Sequence, residues 1–428
     1  MATHTQPRAE SWGPLRAFGF TGYPRLWFAN ILSYTPRWMQ MTLVAWLVLE
    51  LTDSPWLVAL VGFFASTPML FLGLVGGVLA DRTQRKRLIV LLQGMNVVVS
   101  LILTLLLASG AIQVWHAYTA ICLNGVAWAL GFPARRALIF DLLGTSGITN
   151  AVALDSVGMN ASRMIGPALG GALISLIGLT GGFMVITACY ALGLLLLSSL
   201  RIQQIDRPER RRQSIVRNVT EGLRYIRTDR VILGVIVITV IMNFLLFPYM
   251  QMVPVFARDV LHVGPLLMGV LQGAEGFGAL LGSVGLASVV NIVYHGRYFV
   301  IGSMVALIAL MLFSMSPWYI VSFPTLFVVG LGTACFGTMQ STIVMIMATE
   351  EMRGRALGVV SLAIGAGPLG SLFLGAFADA ISPVFAVRLN AMLGIVTLLC
   401  TVLALPSLLD RTQPPWRAVR QEAESAVC

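Results

Sequence analysis

The sequence predicts an all-α membrane protein of twelve transmembrane helices. They fall into two pseudo-symmetric six-helix bundles with both termini cytoplasmic. Three observations predict this. Hydrophobic residues make up 57% of the 428 and charged residues only 11%, against about 25% charged in an ordinary soluble domain. Mean hydropathy is +0.85, so lipid rather than a protein core must take up the apolar surface. Apolar runs of about 20 residues, enough to cross a bilayer, recur along the chain. One long charged connector divides those runs into two sets of six.

A polar, basic tail (1–25) comes first. It has no short apolar core and no small-residue cleavage site, so the first apolar run reads as a retained span. The first bundle covers 26–200, with spans near 26–49, 57–80, 88–109, 114–134, 148–176 and 180–200. A cytoplasmic linker (201–230) follows. Within it, "IVRNVTEGLRYI" has apolar residues at helical spacing and reads as an amphipathic helix along the inner surface. The second bundle covers 231–405, with spans near 231–255, 264–289, 298–315, 317–345, 355–379 and 384–405. A cytoplasmic tail (406–428) ends the chain.

Orientation follows from the cations. Arg82, Arg85, Lys86 and Arg87, then Arg135 and Arg136, the linker, Arg297, Arg353 and Arg355 and both tails collect on one side, which marks it as cytoplasmic. The net charge of +10 is accounted for by these loops, so no nucleic-acid partner is implied. The partners expected are the lipid bilayer, protons and a small-molecule substrate, with the chain acting as a monomer in the inner membrane.

The halves echo each other. "GPALGG" (Gly166, Pro167, Gly170 and Gly171) lies in the fifth span, and "GPLGS" from Gly367 lies in the fifth span of the second half. Repeats so placed suggest a transporter with a central site between two bundles, and the glycines suggest close helix approach.

Across essentially the whole chain the pattern resembles the major facilitator superfamily. "GVLADRTQRKR" (77–87) resembles its loop signature G-x-L-A-D-R-x-G-R-K, with Gln84 where glycine is usual. "GPALGG" resembles the core of the fifth-helix motif of its antiporters, with Ala153 and Ser162 replacing upstream glycines. Residues 132–171 and 350–371 resemble its enterobactin-exporter-like and macrolide-efflux-like branch. The basic fourth-helix motif of many proton-coupled drug exporters is missing from "AYTAICLNGVAWALG". The resemblance implies export of an amphipathic small molecule in exchange for protons, by alternating access. It also implies a gate made of Asp81, Arg82, Arg85, Lys86, Arg353 and Arg355. In that gate Asp81 caps or pairs near the start of the eleventh helix, around Gly354 and Arg355.

Four ionisable residues fall well inside spans: Arg37, Asp155, Arg163 and Glu275. Each is costly in lipid, roughly 2.5–3.5 kcal/mol for a central Arg or Asp, and must face a partner or a polar cavity. Arg163 and Glu275 lie about 22 Å and about 21 Å from the cytoplasmic ends of their spans, at about 1.5 Å per residue. They are read either as a proton-coupling pair or as a fixed structural one. Asp155 is a second proton site, an inner-gate partner of Arg135 or Arg136, or a packing group. Arg37, after Pro36, attracts an anionic group or pairs with Asp155. Tyr34, Trp38, Gln40, Asn160, Asn243, Phe244, Gln272 and Gln340 complete the substrate candidates, aromatics and amides suited to a large amphipathic ligand.

Other chemistry is not expected. Five scattered cysteines without a CxxC, and four histidines without ligand spacing, argue against a metal site. No G-x-x-x-x-G-K-[ST], GxSxG or HExxH occurs. Neither a cofactor nor an enzymatic activity is therefore implied. An importer or lipid transporter of the same fold, and a non-transporting sensor or scaffold, are the rival readings.

Overall fold

A computed structural model describes residues 13–144, 147–200, 215–289, 292–349 and 351–412. Among them every regular element is a helix. The chain opens with a 3-10 turn (Gly13–Gly19) before α1 (Tyr23–Thr52), α2 (Pro55–Arg82), α3 (Arg85–Ala108), α4 (Val114–Leu143) and α5 (Ile148–Ser199). After the linker come α6 (Ile215–Ile226), α7 (Arg230–Ile241), α8 (Pro265–Ala287), α9 (His295–Met315), α10 (Tyr319–Met347), α11 (Arg353–Ile364), α12 (Gly367–Ala380) and α13 (Pro383–Ala404). Ten helical stretches among the described residues are long and apolar enough to cross a membrane, the pair α11–α12 counting as one stretch. Large apolar side chains such as Leu176 (79% exposed), Ile320 (85%) and Leu403 (81%) point outward. Lipid is the solvent that tolerates them.

Three irregularities have local causes. The 52 residues of α5 would span about 78 Å as one rod, against a hydrocarbon core of about 30 Å. Gly178, at φ 72 and ψ 178, interrupts the helix. Nothing lies within 4 Å of a Cβ placed there, so the glycine serves the backbone and not packing. Beyond α7 the chain continues to Val260 through a π turn (Met242–Leu246), a 3-10 turn (Phe247–Gln251) and a second π turn (Phe256–Val260). Pro248 and Pro254 lie among these turns and lack the N–H a regular ladder needs. The eleventh apolar run, expected as one helix, is two: α11 stops at Gly365, and Pro368 sits in the first turn of α12.

The link between α2 and α3 is only Thr83–Gln84. Gln84 is extended (φ −64, ψ 105), so the position needs no glycine.

Two compact units result. The first comprises Met1–Asp53, Phe64–Arg210 and Gly264–Gly273. The second comprises Ser54–Phe63, Arg211–Val263 and Ala274–Cys428. This division departs from the simple bundles 26–200 and 231–405, because the start of α2 groups with the second unit and the first turns of α8 with the first. In the first unit Tyr23, Leu26, Ile89, Leu138 and Ala151 are fully buried around α1. Gly166 and Gly170 press on α1 at Trp38, Met39 and Leu43, while Gly171 meets Gly269 of α8 at backbone distance. A side chain at any of these positions would push the helices apart. In the second unit α9 and α10 touch through Gly302 and Gly332, and Phe299 stacks on Phe336 at 5.4 Å.

The helix α6 docks on the start of α11. Gly222 abuts the Arg355 carbonyl, Glu221 pairs with Arg355 at 2.8 Å, and the Thr349 N–H donates to the Tyr225 hydroxyl at 3.3 Å.

Candidate functional site

A polar stripe on α1 builds the site. Asn30, Ser33, Tyr34, Arg37 and Gln40 follow one another at intervals of three, one, three and three residues, which puts them on one helical face. They meet α3, α4 and α5, all within the first unit.

The layer nearest the start of α1 centres on Asp155, which is 2% exposed. Its carboxylate accepts from Asn30 Nδ2 at 2.8 Å and from the Tyr34 hydroxyl at 3.4 Å. Asn30 Oδ1 in turn accepts from Arg135 Nη1 at 2.7 Å. Arg135 Nη2 donates to Ser33 Oγ at 3.0 Å and Gln93 Oε1 at 2.9 Å. Asn30 therefore bridges a buried guanidinium and a buried carboxylate that make no direct salt bridge. Its amide suits the task, because it offers a donor to the acid and an acceptor to the base.

The deeper layer joins the first through Gln93, whose Nε2 donates to the Tyr190 carbonyl at 3.0 Å. The Tyr190 hydroxyl accepts from Asn124 Nδ2 at 2.9 Å and donates to Gln40 Oε1 at 3.2 Å. Arg37 Nη1 donates to the side-chain and backbone oxygens of Asn124. The Arg37 guanidinium lies 4.5 Å from the centre of the Trp128 ring, a cation–π contact. Trp128 stacks on Phe132 at 5.1 Å and meets Tyr34 edge-on at 5.7 Å. Arg136 lies 5.0 Å from the centre of the Phe132 ring.

Between these layers opens a small cleft. Its walls are aromatic (Tyr34, Trp128, Phe132, Tyr190), amide (Asn96, Asn124) and cationic (Arg37, Arg135), with Ser33 and Ala127 between them.

Several expectations need correction. Arg37, for which the sequence offers an anionic group or Asp155, does not pair with Asp155: it bonds Asn124, and Asp155 is taken by Asn30 and Tyr34. Arg135 was placed in a loop. In the structure α4 runs on to Leu143, and Arg135 turns inward, 7% exposed. Gln40 lies behind the cleft, 1% exposed, and is not among its lining residues.

The other candidates lie elsewhere. Trp38 faces Arg163, whose guanidinium is 5.7 Å from the indole centre. Gln272 accepts from the Thr42 hydroxyl at 2.7 Å, and Asn160 is half-buried. In the second unit Asn243 donates to the Thr239 carbonyl at 2.9 Å, Gln340 donates to the Thr239 hydroxyl at 2.8 Å, and Phe244 packs on Phe373 at 5.4 Å. Glu275, also there, is 2% exposed and accepts from the Thr333 hydroxyl at 3.1 Å. Its carbonyl lies against Gly330.

Of the gate set, the Asp81 and Arg82 side chains lie outside the described residues. Arg85 pairs with Asp141 at 2.9 Å. Lys86 donates to the carbonyls of Ser198 (2.9 Å) and Leu200 (2.5 Å), where the end of α5 leaves acceptors free. Arg353 donates to the Met345 carbonyl at 3.0 Å. Arg355, expected near Asp81, is held here by Glu221.

The sequence pairs Asp155 with Arg135 or Arg136 but does not reveal Asn30, Ser33, Gln93, Asn124 and Tyr190 as parts of one network with them. The helical spacing of Asn30 and Ser33 to Tyr34 and Arg37 was the available signal. For Gln93, Asn124 and Tyr190, each on a different helix, no spacing could have served.

A solved structure shares this multi-helical fold. A crystal structure of the peptide transporter POT in complex with sulfate superposes with a TM-score of 0.75 at 12% identity, covering 92% of this chain and 96% of that one. The chain belongs to the major facilitator superfamily, in the family described as transmembrane secretion effectors, whose profile matches residues 9–424. The multidrug efflux pump Tap of Mycobacterium tuberculosis is 26% identical over 417 residues, 93% of this chain and 97% of that protein. The enterobactin exporter EntS of Citrobacter koseri is 24% identical over 371 residues, 85% and 87% of the two chains. The protein is thus a multi-pass transporter of the inner membrane.

Proposed function

We propose that the protein is a proton-coupled exporter of an amphipathic small molecule, working by alternating access with twelve spans and both termini cytoplasmic. The count of twelve adds two to the ten apolar stretches: α5 divides at Gly178, and α1 at 30 residues is long enough to cross. Export is favoured by the relatives, an efflux pump and a siderophore exporter.

One observation carries the reading. A chain with 11% charged residues keeps a cleft of aromatic, amide and guanidinium groups inside its first unit. Polar groups so placed inside a membrane are expensive and mark a substrate path. Glu275 carries the coupling proton, with Asp155 and Arg163 completing the coupling set. Neutralising a buried carboxylate changes the free energy of the conformation that holds it, which is what drives alternation.

The test uses purified protein in lipid vesicles with an imposed pH gradient and a panel of amphipathic dyes. Glu275→Gln is expected to lower gradient-driven flux at least about tenfold, equivalent to about 1.4 kcal/mol of lost coupling. Gradient-free exchange of the same dye should persist. Undiminished gradient-driven flux would remove Glu275 from the coupling step.

A further inference from the structure

The outward face of α9 ends in a cation. Tyr298, Ile301, Val305, Ile308 and Leu312 are all exposed. Their spacing of three and four residues puts them on one side of the helix. From Tyr298 to the exposed Met315 the helix rises about 26 Å, close to a hydrocarbon core of about 30 Å. One turn before this apolar stripe, on the same side, stand Tyr294 and Arg297, both exposed. They therefore fall at the depth of the lipid headgroups, where tyrosine and arginine are favoured.

The Arg297 guanidinium is held from two directions. Its Nε donates to the Leu409 carbonyl at 2.8 Å, and its carbon lies 4.1 Å from the centre of the Tyr294 ring, a cation–π contact. Leu409 is itself fixed, since it ends the 3-10 turn Pro406–Leu409, whose Leu408 packs against Gly234 and Gly296. Among the described residues nothing bonds either Nη of Arg297 or the Tyr298 hydroxyl. A second exposed cation, Arg411, comes to the same end of α9. Its neighbour Thr412 donates its N–H to the Val293 carbonyl at 3.1 Å.

From this we infer that the start of α9 binds one anionic phospholipid. The phosphate takes the two free Nη groups of Arg297, whose fork matches a pair of oxygens, and the Tyr298 hydroxyl. An acyl chain lies along Ile301, Val305 and Ile308. Arg411 adds attraction for a headgroup of net negative charge. A zwitterionic lipid brings the same phosphate together with a cation of its own, which Arg297 and Arg411 repel. Because the guanidinium is already positioned by Leu409 and Tyr294, little freedom is lost when the lipid arrives. The inference needs only the membrane, which the family and the apolar stretches establish, and neither the direction nor the coupling of transport.

A fixed site must be told from the loose attraction that any surface cation exerts on anionic lipid. Arg224, exposed on α6 with no partner among the described residues, supplies that comparison. The full chain is purified in a neutral detergent, and bound lipid is counted by native mass spectrometry. Phosphatidylglycerol or phosphatidylcholine with the same acyl chains is added. Wild type is expected to bind one phosphatidylglycerol at least about tenfold tighter than phosphatidylcholine. Arg297→Gln should remove most of that preference, and Arg224→Gln little of it. Arg297→Lys keeps the charge but loses the fork and the Nε bond to Leu409, so it should restore only part. Tyr294→Leu leaves every charge in place and should weaken phosphatidylglycerol severalfold. If Arg297→Gln does not fold, Tyr294→Leu and the wild-type order decide.

Equal binding of the two lipids overturns the inference. So does a loss in Arg224→Gln as large as that in Arg297→Gln, or full binding by Arg297→Lys, since either reduces the site to surface charge. Unchanged affinity in Tyr294→Leu overturns it as well, because the ring would then position nothing. Inorganic phosphate at millimolar concentration separates the two sources of the anion. Phosphatidylglycerol that stays bound in its presence supports the lipid site, and complete displacement shows a site for free phosphate instead.

Discussion

The helices around the two buried carboxylates meet in different ways. In the first unit, Asp155 is held by side chains: Asn30 and Tyr34 reach it, and Asn30 ties it to Arg135. In the second unit, Glu275 takes a hydroxyl from Thr333, but the helices around it meet by backbone. Gly330 lies on the Glu275 carbonyl, and Gly278 lies on that of Phe327. A charge framed by polar side chains is sensitive to what is removed. Helices that meet by backbone at glycines are sensitive to what is added. The first arrangement suits recognition, where donors must point into a cleft. The second suits helices that pass closely over one another.

The largest effect expected from this contrast is at Asn30. Asn30→Ala deletes a donor to Asp155 and an acceptor from Arg135 together, and leaves two buried charges short of partners. Hydrogen bonds to charged groups contribute about 1.5–3 kcal/mol each, so a loss of about 3 kcal/mol in unfolding free energy is expected. Denaturant unfolding in detergent reads it. A double-mutant cycle with Arg135→Met should be strongly non-additive. A loss under about 0.5 kcal/mol would mean that water replaces the amide and that the network is not what holds Asp155.

Gly330→Ala tests the other side of the contrast. A methyl there would overlap the Glu275 carbonyl and stand 2.7 Å from the Ala279 nitrogen, so α8 and α10 must separate. Overpacking of this kind costs about 1–3 kcal/mol. Gly337→Ala on the same helix α10 is the control. Nothing lies within 4 Å of its Cβ position, and the gain in helix propensity should stabilise by up to about 1 kcal/mol. Equal effects at the two glycines would show that close backbone approach beside Glu275 is not what makes Gly330 sensitive.

The contrast also shows what the sequence could and could not reveal. Spans were legible because lipid demands about 20 apolar residues in a row, and the break at Gly178 fell between two such runs. The end of α4 was not legible. The adjacent Arg135 and Arg136 look like loop cations, and only packing shows that one turns inward while the other lies on Phe132. Likewise "GPLGS" from Gly367 reads as a packing motif, although Pro368 removes a donor and the helix is split there. On α1 the helical spacing from Asn30 to Gln40 was there to be read. Its partners Gln93, Asn124 and Tyr190 lie on three other helices, and local pattern carries no information about which helices will meet. Glycines around Glu275 were visible, but their contacts with opposing carbonyls depend on tertiary register.

The smallest effect is expected where a charge lies at the surface. Glu221 and Arg355 pair at 2.8 Å with side chains 31% and 29% exposed. Exposed pairs of this kind contribute about 0.2–1 kcal/mol and weaken as salt shortens the screening length. Glu221→Gln should therefore cost about 0.5 kcal/mol at low ionic strength and nearly nothing at about 1 M salt. Its interest is conformational rather than energetic. Arg355 is the cation that the loop signature assigns to Asp81, and here the linker helix α6 holds it. If the two acids compete for Arg355, Glu221→Gln should leave unfolding almost unchanged yet alter the rate of transport, and Asp81→Asn should shift that rate in the opposite direction. Transport rates that move the same way in both variants would show that Arg355 is not shared, and that the surface pair is no more than an anchor for α6.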